Sequence, residues 1–159
     1  MNVNVKPDAA LKKKLAARTL TIPDRVLLAL AEAAAGLLPE AAVYTGPIRQ
    51  DAKLPALFVG FYEIHNAQKL DDLSEYTFGF DLVYWPADSR SDTELRGALY
   101  ALNSGLHRLP WEDEEYVVYR KNGAVTDRVA HITGIVRALE QTVPDLSLIH
   151  ISEPTRPRL

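Results

Sequence analysis

Residues Leu54–Pro86 read LPALFVGFYEIHNAQKLDDLSEYTFGFDLVYWP, and their pattern decides the fold. A near-continuous apolar run, Leu57-Phe58-Val59-Gly60-Phe61-Tyr62, opens the stretch. The second half alternates strictly: Tyr76, Phe78, Phe80, Leu82 and Tyr84 share one face, and Thr77, Gly79, Asp81, Val83 and Trp85 the other. Period-two alternation rich in aromatic and β-branched residues is a strand signature. Two strands are therefore predicted, about Leu54–His65 and Glu75–Trp85, joined by a polar loop over Asn66–Ser74. A long hairpin with an acidic connection suits pairing and assembly, and the stretch holds no residue set that could run a reaction.

Upstream, Thr21-Ile22-Pro23-Asp24 predicts a helix start, with Thr21 as N-cap, Asp24 three residues on, and proline tolerated in the first turn. Ile22, Val26, Leu27, Leu30, Ala34, Leu37 and Leu38 follow at helical spacing, and Gly36 and Pro39 bracket the end. A short strand, Ala41–Thr45, precedes the Gly46-Pro47 turn. Downstream, Ser91-Asp92-Thr93-Glu94 predicts a capping box opening a second helix, whose buried face repeats Leu95, Leu99, Leu102 and Leu106. Tyr116–Arg120 alternates as a strand, Asn122-Gly123 is a hairpin-turn signal, and a return strand is expected from about Val129 to Leu139. The order is α-β-β-β-α-β-β. It predicts one α+β domain over residues 21–145, a mostly antiparallel sheet of about five strands with two helices packed on one face.

The two ends read differently. Residues 1–20 form a basic N-terminal arm, with Lys6, Lys12, Lys13, Lys14 and Arg18 against Asp8 alone. Leu11 and Leu15 allow a short amphipathic helix there. The arm reads either as a contact to a partner subunit or passing DNA, or as a solvated, weakly ordered leader. Leu146–Pro157, LSLIHISEPTRP, resembles the translation of a sequencing adapter. Residues 146–159 are accordingly expected to be an artefactual tail, with the natural chain diverging after about Asp145.

Composition narrows the function classes. The 159 residues are 47% hydrophobic and 25% charged with a formal net charge of −3, ordinary values that give no argument for gripping a nucleic-acid backbone. There is no cysteine, which removes disulfides, thiolate metal sites and cysteine nucleophiles together. The most apolar helical run, Val26–Leu38, is too short to span a bilayer and contains Glu32. No signal core is visible at the start, so a soluble protein made in the cytoplasm, without membrane contact, is expected.

No catalytic, cofactor-binding or metal residue is assigned. His65, His107 and His131 lack the paired spacings of metal motifs. Asp71-Asp72 and Glu112-Asp113-Glu114-Glu115 lack the ligand pattern and glycine of a calcium loop, and read as solvated charge. Gly60, Gly79 and Gly134 suggest bulges or close backbone approach, since no glycine-rich loop leads from a strand into a helix. The strand aromatics lack the interleaved Lys or Arg of a base-stacking surface, and fit a core with a subunit interface better.

Taken in order, several segments resemble the phage tail terminator family. They are the amphipathic helix leading to Val43-Tyr44-Thr45, Lys53-Leu54-Pro55-Ala56-Leu57-Phe58-Val59, Phe80-Asp81-Leu82-Val83-Tyr84-Trp85-Pro86, a helix over Thr93–Leu109, and a closing hairpin. The resemblance covers about Val26–Leu139. It implies a structural protein of the virion tail and neck, assembled in the host cytoplasm. In that family the chain forms a ring, usually a hexamer, that caps the head-proximal end of the tail tube and ends tube polymerisation. Its partners would be further copies of itself, the tail tube protein, and a head–tail connector or head-closure protein, with DNA passing without specific binding. No catalytic residue or cofactor belongs to that role. In the polar loop, Gln68, Lys69, Asp71 and Asp72 are the expected subunit or tube contacts. Competing readings are another neck, head-closure or minor tail protein, a generic oligomeric interaction domain, and a small α+β enzyme or nucleotide-binding module. The last predicts a polar pocket around His131, Asp81 or Glu63.

Overall fold

The computed structural model describes residues 1–70 and 72–141. Along the chain run β1 (Val5–Lys6), α1 (Ala9–Ala17), α2 (Ile22–Leu37), β2 (Ala42–Tyr44), β3 (Ala56–Gln68) and β4 (Leu73–Trp85). After these come α3 (Asp92–Gly105), β5 (Arg108–Trp111), β6 (Glu114–Thr126) and β7 (Val129–Gln141). The α+β class is as expected, but the described residues hold seven strands and three helices where five and two were predicted. One mixed sheet runs β1-β2-β3-β4-β7-β6-β5. β1, β2 and β3 pair in parallel and the other neighbours antiparallel.

The added elements share a physical cause. β1 and β5 are two and four residues long, too short to display any alternation. Each exists through pairing with a distant or better-defined neighbour, β1 on β2 and β5 on β6. Helix α1 is held at its start by Asp8, whose Oδ1 accepts from the Leu11 N–H at 2.8 Å. At its end Arg18 turns left-handed (φ 58°).

Helix α2 begins where predicted. The Asp24 carboxylate takes both the Thr21 N–H (3.0 Å) and the Thr21 hydroxyl (2.8 Å). Val26, Leu28, Ala29, Leu30, Ala31, Ala34 and Ala35 are all buried, so most of the helix circumference is covered. α2 and α3 lie over the sheet face formed by Leu57, Val59, Phe78, Phe80, Leu82, Ile132 and Val136. They approach closely at Gly105, where a Cβ would run into the Leu37 side chain.

The predicted capping box of α3 forms only half. Ser91 Oγ accepts from the Glu94 N–H at 3.1 Å, but the Glu94 carboxylate turns elsewhere. It accepts from Tyr84 Oη (2.8 Å) and from the backbone N–H groups of Ala87 (2.7 Å) and Asp88 (3.0 Å). One carboxylate thus ties the end of β4 to the start of α3. Burial of Glu94 opposes ionisation, yet these donors outweigh it and hold the carboxyl below its ordinary range. The same contact, after burial, drives the Tyr84 hydroxyl upward.

The closing hairpin also differs. Asn122-Gly123 is not its turn, because β6 runs on to Thr126 with Gly123 opposite Ile132. The chain reverses at Asp127-Arg128, both left-handed (φ 52° and 64°), as a two-residue primed turn requires. Gly123 is small for another reason: a Cβ there would lie 3.0 Å from Leu99 of α3. The loop between β3 and β4 is likewise shorter than expected, four residues from 69 to 72, because both strands extend further. Residues 146–159, expected to be an artefactual tail, lie outside the described residues.

Candidate functional site

The β3–β4 hairpin divides at a bulge. Leu57, Val59 and Phe61 of β3 stand opposite Tyr84, Leu82 and Phe80 of β4. One extra residue, Tyr62, then intervenes, and Glu63 and Ile64 face Gly79 and Phe78. Residues 56–59 are buried, whereas everything from Tyr62 to Gln68 is exposed. Tyr62 remains 60% exposed although its ring lies over Gly79, where a Cβ would not fit. Ile64, on the helix side of the sheet, is 53% exposed. Phe61 stacks on Phe78 with ring centroids 4.9 Å apart, and Tyr76 follows at 6.3 Å, so an aromatic row carries the core into the hairpin.

At the tip, the Lys69 N–H donates to Leu73 O at 2.6 Å and its ammonium lies 3.4 Å from Glu75. Arg137 of β7 approaches the same carboxylate at 3.6 Å. Of the expected contact residues, Gln68 sits at the end of β3 opposite Ser74, Lys69 follows it, and Asp72 is exposed with φ 58°. Three of the four therefore gather at one hairpin end; Asp71 lies outside the described residues. Leu70, 86% exposed, joins them there.

A feature that local sequence reading missed is the bare backbone of two edges. β2 pairs with β3 only at Ala56–Phe58. Among the described residues no strand lies beside Val59–Gln68 on the side away from β4. On the far side of the sheet, β5 pairs with Glu114–Val117 and the Val118 N–H reaches His107 O. From Tyr119 to Thr126, β6 has no described strand on the side away from β7. The sheet's outermost strands are short, so the exposed pairing capacity belongs to the long strands behind them.

The other candidates stay apart. His65 pairs with Glu63 at 3.1 Å, His107 faces Ser104 O at 2.6 Å, and His131 Nδ1 lies 3.8 Å from Asp81 Oδ1. Among the described residues no three His, Asp or Glu side chains gather as a metal site. The acidic run 112–115 is drawn into local pairs. Glu114 meets Arg25 (3.4 Å) and accepts from the Tyr116 hydroxyl, and Glu115 meets Arg108 at 3.0 Å. Burial, then Glu114, pushes the Tyr116 hydroxyl up to about 12. Five of the better-formed hollows on the described surface are lined by residues other than His131, Asp81 and Glu63. Among the described residues no helix is long and apolar enough to cross a membrane.

Fold and surface together define an α+β protein whose most conspicuous exposed features are a projecting hairpin and uncovered strand edges. The family of phage tail terminator proteins matches residues 26–145, and the chain belongs to that family of structural tail proteins. No curated protein matches the sequence. Among solved structures, it is similar to a chain in the virion of a native gene transfer agent particle. That likeness has 14% identity and a TM-score of 0.41, covering 81% of this chain and 90% of the other.

Proposed function

We propose that this protein assembles into a ring, a hexamer, that caps the head-proximal end of a phage tail tube, ends its polymerisation and joins the tail to the neck. The observation that carries this reading is family membership over residues 26–145. The two bare edges support it, since a head-to-tail contact between them repeats until the rotation closes. Its partners in this reading are further copies of itself, the tail tube protein and a connector or head-closure protein, with DNA passing unbound through a mildly acidic protein. Assembly takes place in the host cytoplasm. Gln68, Lys69 and Asp72 at the hairpin tip, together with Asp71, which follows Leu70 in the sequence, are the proposed subunit or tube contacts. A role as another neck or minor tail protein would place the gene away from that of the major tube protein, whereas a terminator gene is expected beside it.

Native mass spectrometry of the full chain tests the ring: six copies are expected, and a monomer persisting at high concentration contradicts it. Deleting Lys69–Leu73 tests the tip. The variant is expected to remain folded by circular dichroism while ring formation or tail length is impaired; unchanged assembly and tail length overturn the contact.

A further inference from the structure

The two bare edges fit one another in a specific register, and we infer that β3 of one copy pairs antiparallel with β6 of the next, seating Ile64 in a groove of α3. The inference rests on the ring reading and supplies its contact. Within one copy β3 and β6 run antiparallel, because β3, β4, β7 and β6 are successive antiparallel neighbours. Repeating the unit side by side, helices on the same face, therefore sets β6 against the next β3 in antiparallel sense.

The register follows from where each edge is bare. Carried across the sheet, Val59 pairs with Leu82, Leu82 with Ile132, and Ile132 with Gly123, so Val59 and Gly123 share a rung. On that level the bare stretches overlap only in part, since β2 guards one end of β3 and β5 the other end of β6. A side-by-side repeat must slide, and the slide must be an even number of rungs, because a single-residue slip turns every side chain to the wrong face. Sliding from Leu82 to Phe78 on β4, about four rungs, brings Phe61–Ala67 against Val125–Tyr119 and Ile64 opposite Gly123. A stagger of this kind is also what closing a sheet on itself demands.

Two further observations fit that register. Gly123, Leu99, Tyr100, Asn103 and Ser104 line a hollow of about 450 Å³ beside the bare β6 edge, on the helix side of the sheet. Ile64 projects on the helix side of β3, and both it and Tyr100 (76% exposed) lack cover in the single copy.

The register sets His65 opposite Asn122 of the next copy, both exposed and on the face away from the helices. Within one copy these positions lie three strand spacings apart across the sheet and are offset along it as well, so they are separated by more than about 14 Å, beyond disulfide reach. The protein has no cysteine of its own, so an oxidised pair reports only a contact between copies. The full-length double variant His65→Cys, Asn122→Cys, confirmed folded by circular dichroism, is expected on oxidation to give a covalent ladder ending at the ring's copy number. His65→Cys and Asn122→Cys alone are expected to give no ladder. Dimers from His65→Cys alone, with no ladder from the double variant, would mean β3 pairs with β3 and overturn the inference. A hexamer by native mass spectrometry without cross-links overturns the edge pairing and leaves the ring standing, whereas absence of both hexamer and cross-links overturns both.

Discussion

The two long hairpins, β3–β4 and β6–β7, are each built from two thirteen-residue strands with one irregularity in the outer strand. They differ in how their ends are held. The β6–β7 turn is fastened to the body: the Arg128 guanidinium donates to Ser89 O at 2.8 Å and to Asp92 at 2.7 Å, near the start of α3. The β3–β4 tip is pinned chiefly by ion pairs within the sheet, from Lys69 and Arg137 to Glu75. Equal strand length therefore does not imply equal purpose. One hairpin end completes the fold, and the other extends beyond it with exposed Tyr62, Ile64 and Leu70.

The largest way to break the contrast is to remove what the hairpins share. Phe80 of β4 is fully buried and lies on Gly134 of β7. Phe80→Ala is expected to cost about 3–5 kcal/mol in urea unfolding, disabling both hairpins together.

Glu94 holds the Ala87–Asp88 segment of the loop on which Arg128 docks. Glu94→Gln is expected to cost about 1–2 kcal/mol at neutral pH, through weakened hydrogen bonds to a formerly charged acceptor. Because the folded carboxyl titrates below 4.5, its contribution is present above that value and is lost as the pH falls through the lower folded value. Thermal melts across that range are expected to show a shallower acid limb in the variant.

The smallest stability effects draw the contrast most sharply. Arg128→Ala breaks exposed contacts and is expected to cost about 0.5–1 kcal/mol without altering assembly. Ile64→Thr is expected to change stability by less than about 0.5 kcal/mol while weakening oligomerisation, read by native mass spectrometry. A reversal of that pattern, with Arg128→Ala impairing assembly and Ile64→Thr impairing only folding, would exchange the roles given to the two hairpins.

Long, strongly patterned elements were legible from the sequence. The alternation of Tyr76 to Tyr84 reports burial on one face, and the helical spacing from Ile22 to Leu37 reports the helix itself, both local signals, although burial of α2 reaches round most of its circumference. What escaped was non-local. β1 forms because Val5 finds Val43, and nothing in a dipeptide announces that. Gly123 looked like turn chemistry but makes room for Leu99, while Asp127-Arg128 adopts left-handed geometry without any glycine. The bare edges were illegible for the same reason. They are defined by how far β2 and β5 extend along their neighbours, a property of the assembled sheet and of no single segment.

The bulge at Tyr62 carries a consequence for how relatives can vary in length. Phe61 and Ile64 both face the helices, with Tyr62 inserted ahead of the outward-facing Glu63. Excising Tyr62 would restore unbroken alternation and leave every later side chain on its present side. A lost residue here would therefore be neutral to inside and outside. It would instead straighten the strand and relax its local twist. Indels at this one position would tune the curvature of the sheet.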